Sequence, residues 1–144
     1  MSCRKIVGKF YLEASVAGTV IKSNDPMSFW GGYDPSEGRV IDRRNEVYGE
    51  KVAGKIFVFP EGIGSSTTAA VLLESVRNQT NPIGIVNVKT EPILLTGALI
   101  ARELYGVEIP IVTVDPGDFA EVEDGDVLKI DADDRVLRRA DESP

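Results

Sequence analysis

Apolar residues run without interruption over Ile56, Phe57, Val58 and Phe59, the pattern of a strand covered on both faces, and Pro60 ends the run. From Ala69 the spacing changes. Ala69, Leu72, Leu73 and Val76 fall at i, i+3, i+4 and i+7, which places them on one face of a helix. Ile83–Val88 reads as a second buried strand. Thr90, Glu91 and Pro92 open another helix, whose core face is Ile93, Gly97, Ile100 and Leu104 and whose stop is Gly106. Ile109–Val114 is a third apolar strand. Strand, helix, strand, helix and strand joined by short connections predict parallel pairing through right-handed crossovers. Upstream, Lys5–Val7, Phe10–Glu13 and Gly18–Ile21 are strand-like and suggest a meander or the edge of a barrel. Downstream, Asp126–Ile130 and Arg135–Leu137 form a hairpin around Asp131–Asp134, Asp115–Asp118 is a turn by composition, and Ala140–Pro144 is a frayed end. The class is α/β.

Two stretches escape this periodicity. Ser23–Gly49 has almost none, yet it concentrates Phe29, Trp30 and Tyr33, whose aromatic area is costly to leave in water. It either folds back over the domain's own core or forms a surface that meets a partner or closes over a ligand, with Trp and Tyr as anchors. The second stretch joins the Ile56 strand to its helix and holds Gly62, Gly64, Ser65, Ser66, Thr67 and Thr68. Its glycines permit a tight bend and close approach of a ligand. The helix start that follows, with its free N–H groups, suits a carboxylate or phosphate. An ordinary capped turn has the same composition, and both readings stand on the local pattern. The loop is neither GxxxxGK nor GxGxxG.

Composition narrows the chemistry. The chain of 144 residues reads as one domain, 1–144, with 42% hydrophobic and 27% charged residues, which is ordinary for a soluble globular protein. A net charge of −7 with scattered basic residues argues against a nucleic-acid partner. The single cysteine, Cys3, and the absence of histidine exclude a disulfide framework and a metal site built on thiolates or imidazoles of this chain. They also exclude the Ser-His-Asp arrangement, so a base must be a carboxylate, a Lys, a Tyr or an activated hydroxyl. The acidic turn Asp131–Asp134 does not have the spacing of a calcium loop. MSCRKIVGKFYLEAS has no long apolar core, so neither a signal peptide nor a membrane span is expected, and the expected location is the cytoplasm.

A family resemblance adds what patterning cannot. The run Pro26-Met27-Ser28-Phe29-Trp30-Gly31-Gly32-Tyr33-Asp34-Pro35, then Gly38–Asp42, Gly54-Lys55 before the strand, Gly64-Ser65-Ser66, Val71–Glu74, Glu91-Pro92-Ile93, Gly97-Ala98 and Glu103–Pro110 resembles the aconitase X small subunit, or swivel domain, over nearly the whole chain. The resemblance implies a swivelling β/β/α domain of the aconitase type, with a β-barrel-like core and a parallel βαβαβ segment. It implies a hydro-lyase that removes water from a small hydroxy acid, working with a large subunit that holds an iron centre or iron–sulfur cluster. This chain itself would bind no cofactor and no metal.

Two-chain archaeal members act on phosphomevalonate, and bacterial relatives act on cis-3-hydroxy-L-proline. Phosphomevalonate is the favoured substrate here, and a non-catalytic module that binds an anion and a protein is the rival from another class. By resemblance Ser65 is the proton-accepting residue, Gly64, Ser66 and Thr67 are substrate-binding, and Phe29, Trp30, Gly31 and Gly32 form the interface or cover the active site. Where many members carry a His after the position of Asp42, this chain has Asn45, and Thr67, Thr68 and Ala69 follow the serine pair.

Overall fold

The computed structural model describes residues 5–63 and 66–139. The predicted alternation is present: β6 (Ile56–Val58), α1 (Thr68–Arg77), β7 (Gly84–Asn87), α2 (Pro92–Tyr105) and β8 (Ile111–Thr113). They follow β1 (Ile6–Val7), β2 (Lys9–Leu12), β3 (Val16–Lys22), β4 (Tyr33–Asp34) and β5 (Arg39–Val40), and precede α3 (Pro116–Glu121), β9 (Val127–Asp131) and β10 (Val136–Arg139). One large sheet has the order β1-β10-β9-β3-β6-β7-β8-β2. Its centre is parallel, through β3 with β6, β6 with β7 and β7 with β8. The flanking pairs are antiparallel.

The two ends of that order, β1 and β2, are separated by Gly8 alone, so one stretch of chain borders both edges and the sheet nearly closes into a barrel. A Cβ at Gly8 would lie 2.3 Å from Val112 Cγ1, which explains why closure takes glycine there.

The parallel strands are buried on both faces, so their sequence reads as continuous apolar runs instead of alternating ones. Val58, Val86 and Val112 lie in register and face the barrel interior with Ile56, Leu128 and Ile130. Ile21, Phe57, Ile85 and Ile111 form the neighbouring row on the opposite face, where Leu72 of α1 and Leu94 and Ala98 of α2 cover them. The result is the layered β/β/α arrangement expected from the family resemblance.

The aperiodic segment 23–49 contributes Met27, Phe29, Tyr33, Val40 and Val47 to the helix-facing layer. Phe29 and Tyr33 are each 1% exposed, and Phe29 packs on Phe59 and Tyr33 with ring centroids 6.0 and 5.3 Å apart. The Tyr33 hydroxyl donates to the Thr80 carbonyl at 2.7 Å, and burial pushes its acidity to a pKa well above the usual phenol value. Of the two readings of this segment, core cover therefore holds for Phe29 and Tyr33.

The stretch Asp115–Asp118, read as a turn, instead begins α3, with Pro116 in the first turn. Turns and helix starts favour the same residues, so composition did not separate them. The acidic hairpin tip is held by its own chain: Asp131 Oδ1 accepts from the N–H groups of Asp133 and Asp134, and Arg138 binds the carboxylates of Asp131 and Asp134.

Candidate functional site

Beyond Pro60 the chain leaves β6 without bending away. The Pro60 carbonyl accepts from Val88 N–H at 2.9 Å and Lys89 N–H at 3.1 Å, Met27 N–H donates to the Glu61 carbonyl at 3.0 Å, and Ile63 N–H donates to the Met27 carbonyl at 2.9 Å. Residues 60–63 are thus an extension of the parallel ladder, held between residue 27 and residues 88–89 at the carboxyl edge of the sheet. In open α/β sheets that edge is where ligands bind, because loops and helix N-termini converge there.

The row of residues at this edge on the helix-facing side differs from the one beneath it. Ser23, Asn87 and Thr113 accompany Phe59, and Ser23 and Asn87 are fully buried. Ser23 Oγ donates to Asn45 Oδ1 at 2.7 Å, Asn87 Nδ2 donates to the Phe59 carbonyl at 2.9 Å while its Oδ1 has no hydrogen-bond partner, and the hydroxyls of Thr113 and Thr90 lie 2.7 Å apart.

The two helices that start at this edge differ in charge. Glu91 caps α2, its carboxylate oxygens accepting from Ile93 N–H at 3.0 Å and Leu94 N–H at 2.9 Å. A chain carboxylate therefore already occupies that positive helix end. The first turn of α1 carries no acidic residue, and no carboxylate of its own first turn opposes its positive end.

Of the residues singled out from the sequence, Gly64 and Ser65 lie outside the described residues. Ser66 is exposed and Thr67 half-buried, both just before α1. Thr68, the first residue of α1, is 3% exposed, and its hydroxyl has no hydrogen-bond partner.

The aromatic run divides. Phe29 is core, whereas Trp30 is 63% exposed at the tip of a turn in which Tyr33 N–H donates to the Phe29 carbonyl at 3.2 Å and Ser28 Oγ to the Trp30 carbonyl at 3.0 Å. That turn requires its glycines: Gly31 has φ +76°, and a Cβ at Gly32 would sit 2.1 Å from the Ser28 carbonyl oxygen. Met27, which pairs with Gly62, directly precedes the turn, so Trp30 stands beside the loop.

Sequence reasoning missed Ile63 and Ile41, exposed apolar residues tied to the same region through the Met27 carbonyl and through Ile41 N–H donating to Gly32 O. It also missed Asn87. Asn87 had a legible signal, as the one polar residue inside the apolar run Ile83–Val88.

A second cleft of about 410 Å³ opens at the end of β3, lined by Lys22, Asn24, Glu46, Val47, Val122, Glu123 and Asp124. Its charged groups serve the fold. The Lys22 ammonium donates to the Phe119 carbonyl at 2.8 Å and lies 4.4 Å from the Phe119 ring centre, and burial lowers its pKa against the opposing pull of Glu46, Glu123 and Asp126. Asp124 accepts from Lys22 N–H, and Glu46 from Asn24 N–H.

Among the described residues no group of three or more His, Cys, Asp or Glu could hold a metal ion, and the chain has no His. Among the described residues, no helix is long and apolar enough to cross a membrane.

Comparison with known proteins agrees with this architecture. The family model of the aconitase X swivel domain matches residues 5–138. The phosphomevalonate dehydratase small subunit of Methanothermobacter thermautotrophicus is 36% identical over 122 residues, covering 84% of this chain and 88% of that protein. The cis-3-hydroxy-L-proline dehydratase of Hypocrea jecorina is 36% identical over 115 residues, covering 80% of this chain and 19% of that protein. The crystal structure of Thermococcus kodakaraensis aconitase X (holo-form) superposes with a TM-score of 0.85 at 32% identity, covering 96% of this chain and 99% of that one. With a nearly closed barrel, a parallel ladder prolonged past Pro60 and a match that runs from the first strand to the last, the chain belongs to the aconitase X swivel-domain family.

Proposed function

We propose that this chain is the small subunit of an aconitase X type hydro-lyase, active with a large subunit, and that it dehydrates (R)-5-phosphomevalonate to anhydro-phosphomevalonate. The observation that supports the site is the prolonged ladder at residues 60–63, which ends five residues before α1, a helix whose first turn carries no acidic residue. The substrate is carried over from small-subunit relatives named phosphomevalonate dehydratase, several of them 32–38% identical over most of the chain. Dehydration of a hydroxy acid removes a proton from the carbon beside the carboxylate. Ser65, as an alkoxide that the N–H groups at the start of α1 stabilise, takes that proton and becomes a hydroxyl as the hydroxyl on the neighbouring carbon departs, the proton and the hydroxide together making up the water released. Gly64, Ser66 and Thr67 bind the anionic substrate beside it. The iron centre or iron–sulfur cluster belongs to the large subunit, and the exposed Trp30, with Ile41 and Ile63, meets that subunit. The complex works in the cytoplasm.

The relative from Hypocrea jecorina supports a second substrate, cis-3-hydroxy-L-proline. Both compounds are to be assayed side by side with the purified two-chain complex. Ser65→Ala is expected to leave the complex assembled and to lower kcat roughly 10²- to 10⁴-fold, the loss usual for a proton-transfer group. Wild-type turnover by that variant would remove Ser65 from the reaction. Trp30→Ala is expected to weaken capture of the large subunit in a titration while leaving the melting temperature of the free chain unchanged, since Trp30 contributes no core contact.

A further inference from the structure

Every described arginine except Arg43 has a carboxylate within 3.6 Å. Acidic residues outnumber basic ones 23 to 16 in this chain, so a surface guanidinium finds a carboxylate readily, and the exception calls for a reason. Arg43 is exposed, and the carboxylates near it in the chain are turned elsewhere. Asp42 Oδ1 accepts from Arg44 N–H at 3.0 Å and from Arg44 Nε at 3.3 Å, Glu46 accepts from Asn24 N–H, and Asp25 accepts from Glu46 N–H at 2.8 Å.

The turn that carries Arg43 is braced before any partner arrives. Asn45 N–H donates to the Asp42 carbonyl at 3.1 Å, and the buried Asn45 side chain ties the turn to Ser23 Oγ. An arginine on such a turn loses less freedom on binding than one on a mobile loop. Backbone bonds also join the turn to exposed apolar residues on either side. Ile41 N–H donates to the Gly32 carbonyl at 2.8 Å, within the turn of Trp30, and Tyr48 N–H donates to the Asn45 carbonyl at 3.0 Å. Trp30, Ile41 and Tyr48 are all exposed. One braced segment thus presents a tryptophan, a tyrosine and an arginine, the residue types that dominate binding at protein interfaces.

The sign of the charge selects the occupant. A guanidinium offers a planar fork that takes a carboxylate through two parallel hydrogen bonds. At a net charge of −7 most of this surface repels an acidic partner, so an acidic segment that settles at Arg43 is held in one register. The same charge sets two copies of this chain against each other.

We propose that Arg43, with Trp30, Ile41 and Tyr48 around it, is the docking point for an acidic segment of the large subunit, a carboxylate of which pairs with the guanidinium. The inference rests on the proposed two-subunit dehydratase and adds the chemistry of the contact between its subunits.

The test titrates the large subunit with the wild-type chain and with Arg43→Gln, Arg43→Glu and Arg43→Lys, each at low and at high salt. At low salt Arg43→Gln is expected to weaken the complex roughly tenfold and Arg43→Glu roughly a hundredfold, and the affinity of Arg43→Gln is expected to depend less on salt than that of the wild type. Arg43→Lys, which keeps the charge and loses the fork, is expected to fall between the wild type and Arg43→Gln. The melting temperature of the free chain is expected to stay within about 1 °C in every variant, since Arg43 has no partner to lose on this chain.

Wild-type affinity in both Arg43→Gln and Arg43→Glu would overturn the inference while leaving the two-subunit reading intact. So would a raised substrate KM in Arg43→Gln with the large subunit in saturating excess, which assigns Arg43 to the substrate anion. Self-association of the free chain that Arg43→Glu abolishes would overturn it as well, by making a second copy the occupant. A wild-type chain that captures no large subunit would remove the reading and the inference together.

Discussion

Asn45 organises the segment between β3 and β6 with one buried side chain. Its Oδ1 accepts from Ser23 Oγ at 2.7 Å and from Val47 N–H at 3.1 Å, while Nδ2 points to the Pro26 carbonyl at 3.4 Å. Asn45→Ala would leave the buried Val47 N–H unpaired and the Ser23 hydroxyl with only Asp25 as partner, which is expected to cost about 1–3 kcal/mol. Urea denaturation of the isolated chain measures this, and a loss below about 0.5 kcal/mol would show that water replaces the amide. The partners of Asn45 lie up to 22 positions away, so nothing in local spacing announces them. The same holds within the aromatic run. Phe29 and Trp30 are adjacent and equally apolar in composition, yet one is core and the other exposed, because the turn over Gly31 and Gly32 sends them in opposite directions.

At the level of elements, the contact between α1 and α2 is set by a missing side chain. A Cβ at Gly97 would lie 3.0 Å from Ala69 Cα and 3.3 Å from its Cβ, so the helices cross at the closest approach glycine permits. Gly97→Val is expected to push them apart and to destabilise the chain by about 1–3 kcal/mol, the usual result of overpacking. Because Ala69 follows Thr68, the displacement reaches the start of α1, and turnover of the complex is expected to fall as well. Calorimetry of the free chain and kinetics of the complex measure the two effects. Helical spacing from Ala69, the Glu91-Pro92 start and the Gly106 stop were legible in the sequence, since each reports a local property of the helix itself. That Glu91 fills one helix start while the first turn of the other holds no carboxylate also follows from residue order, once both helices are placed.

For the whole molecule, the closing contact is at Gly8. The N–H of Gly8 donates to the Arg135 carbonyl at 3.4 Å on one side, and Val112 and Thr113 crowd it on the other. Gly8→Val is expected to prise β1–β2 from β8 and to lower stability by about 2 kcal/mol or more, as a bulky insertion into packed strands does. Hydrogen exchange should then show faster opening of Phe10 and Leu12 amides than of Val86. Equal protection would mean that the barrel does not depend on this approach.

The sequence by itself determined the strand–helix alternation, the parallel crossovers and the family, because periodicity and short connections follow from how each residue meets its near neighbours. Tertiary structure alone decided that β1 and β2 border opposite ends of one sheet, that segment 23–49 buries Tyr33 and exposes Trp30, and that the Asn87 amide holds the Phe59 carbonyl. Those facts depend on contacts between residues far apart in the chain, and the spacing of apolar positions records that a face is covered but not by what.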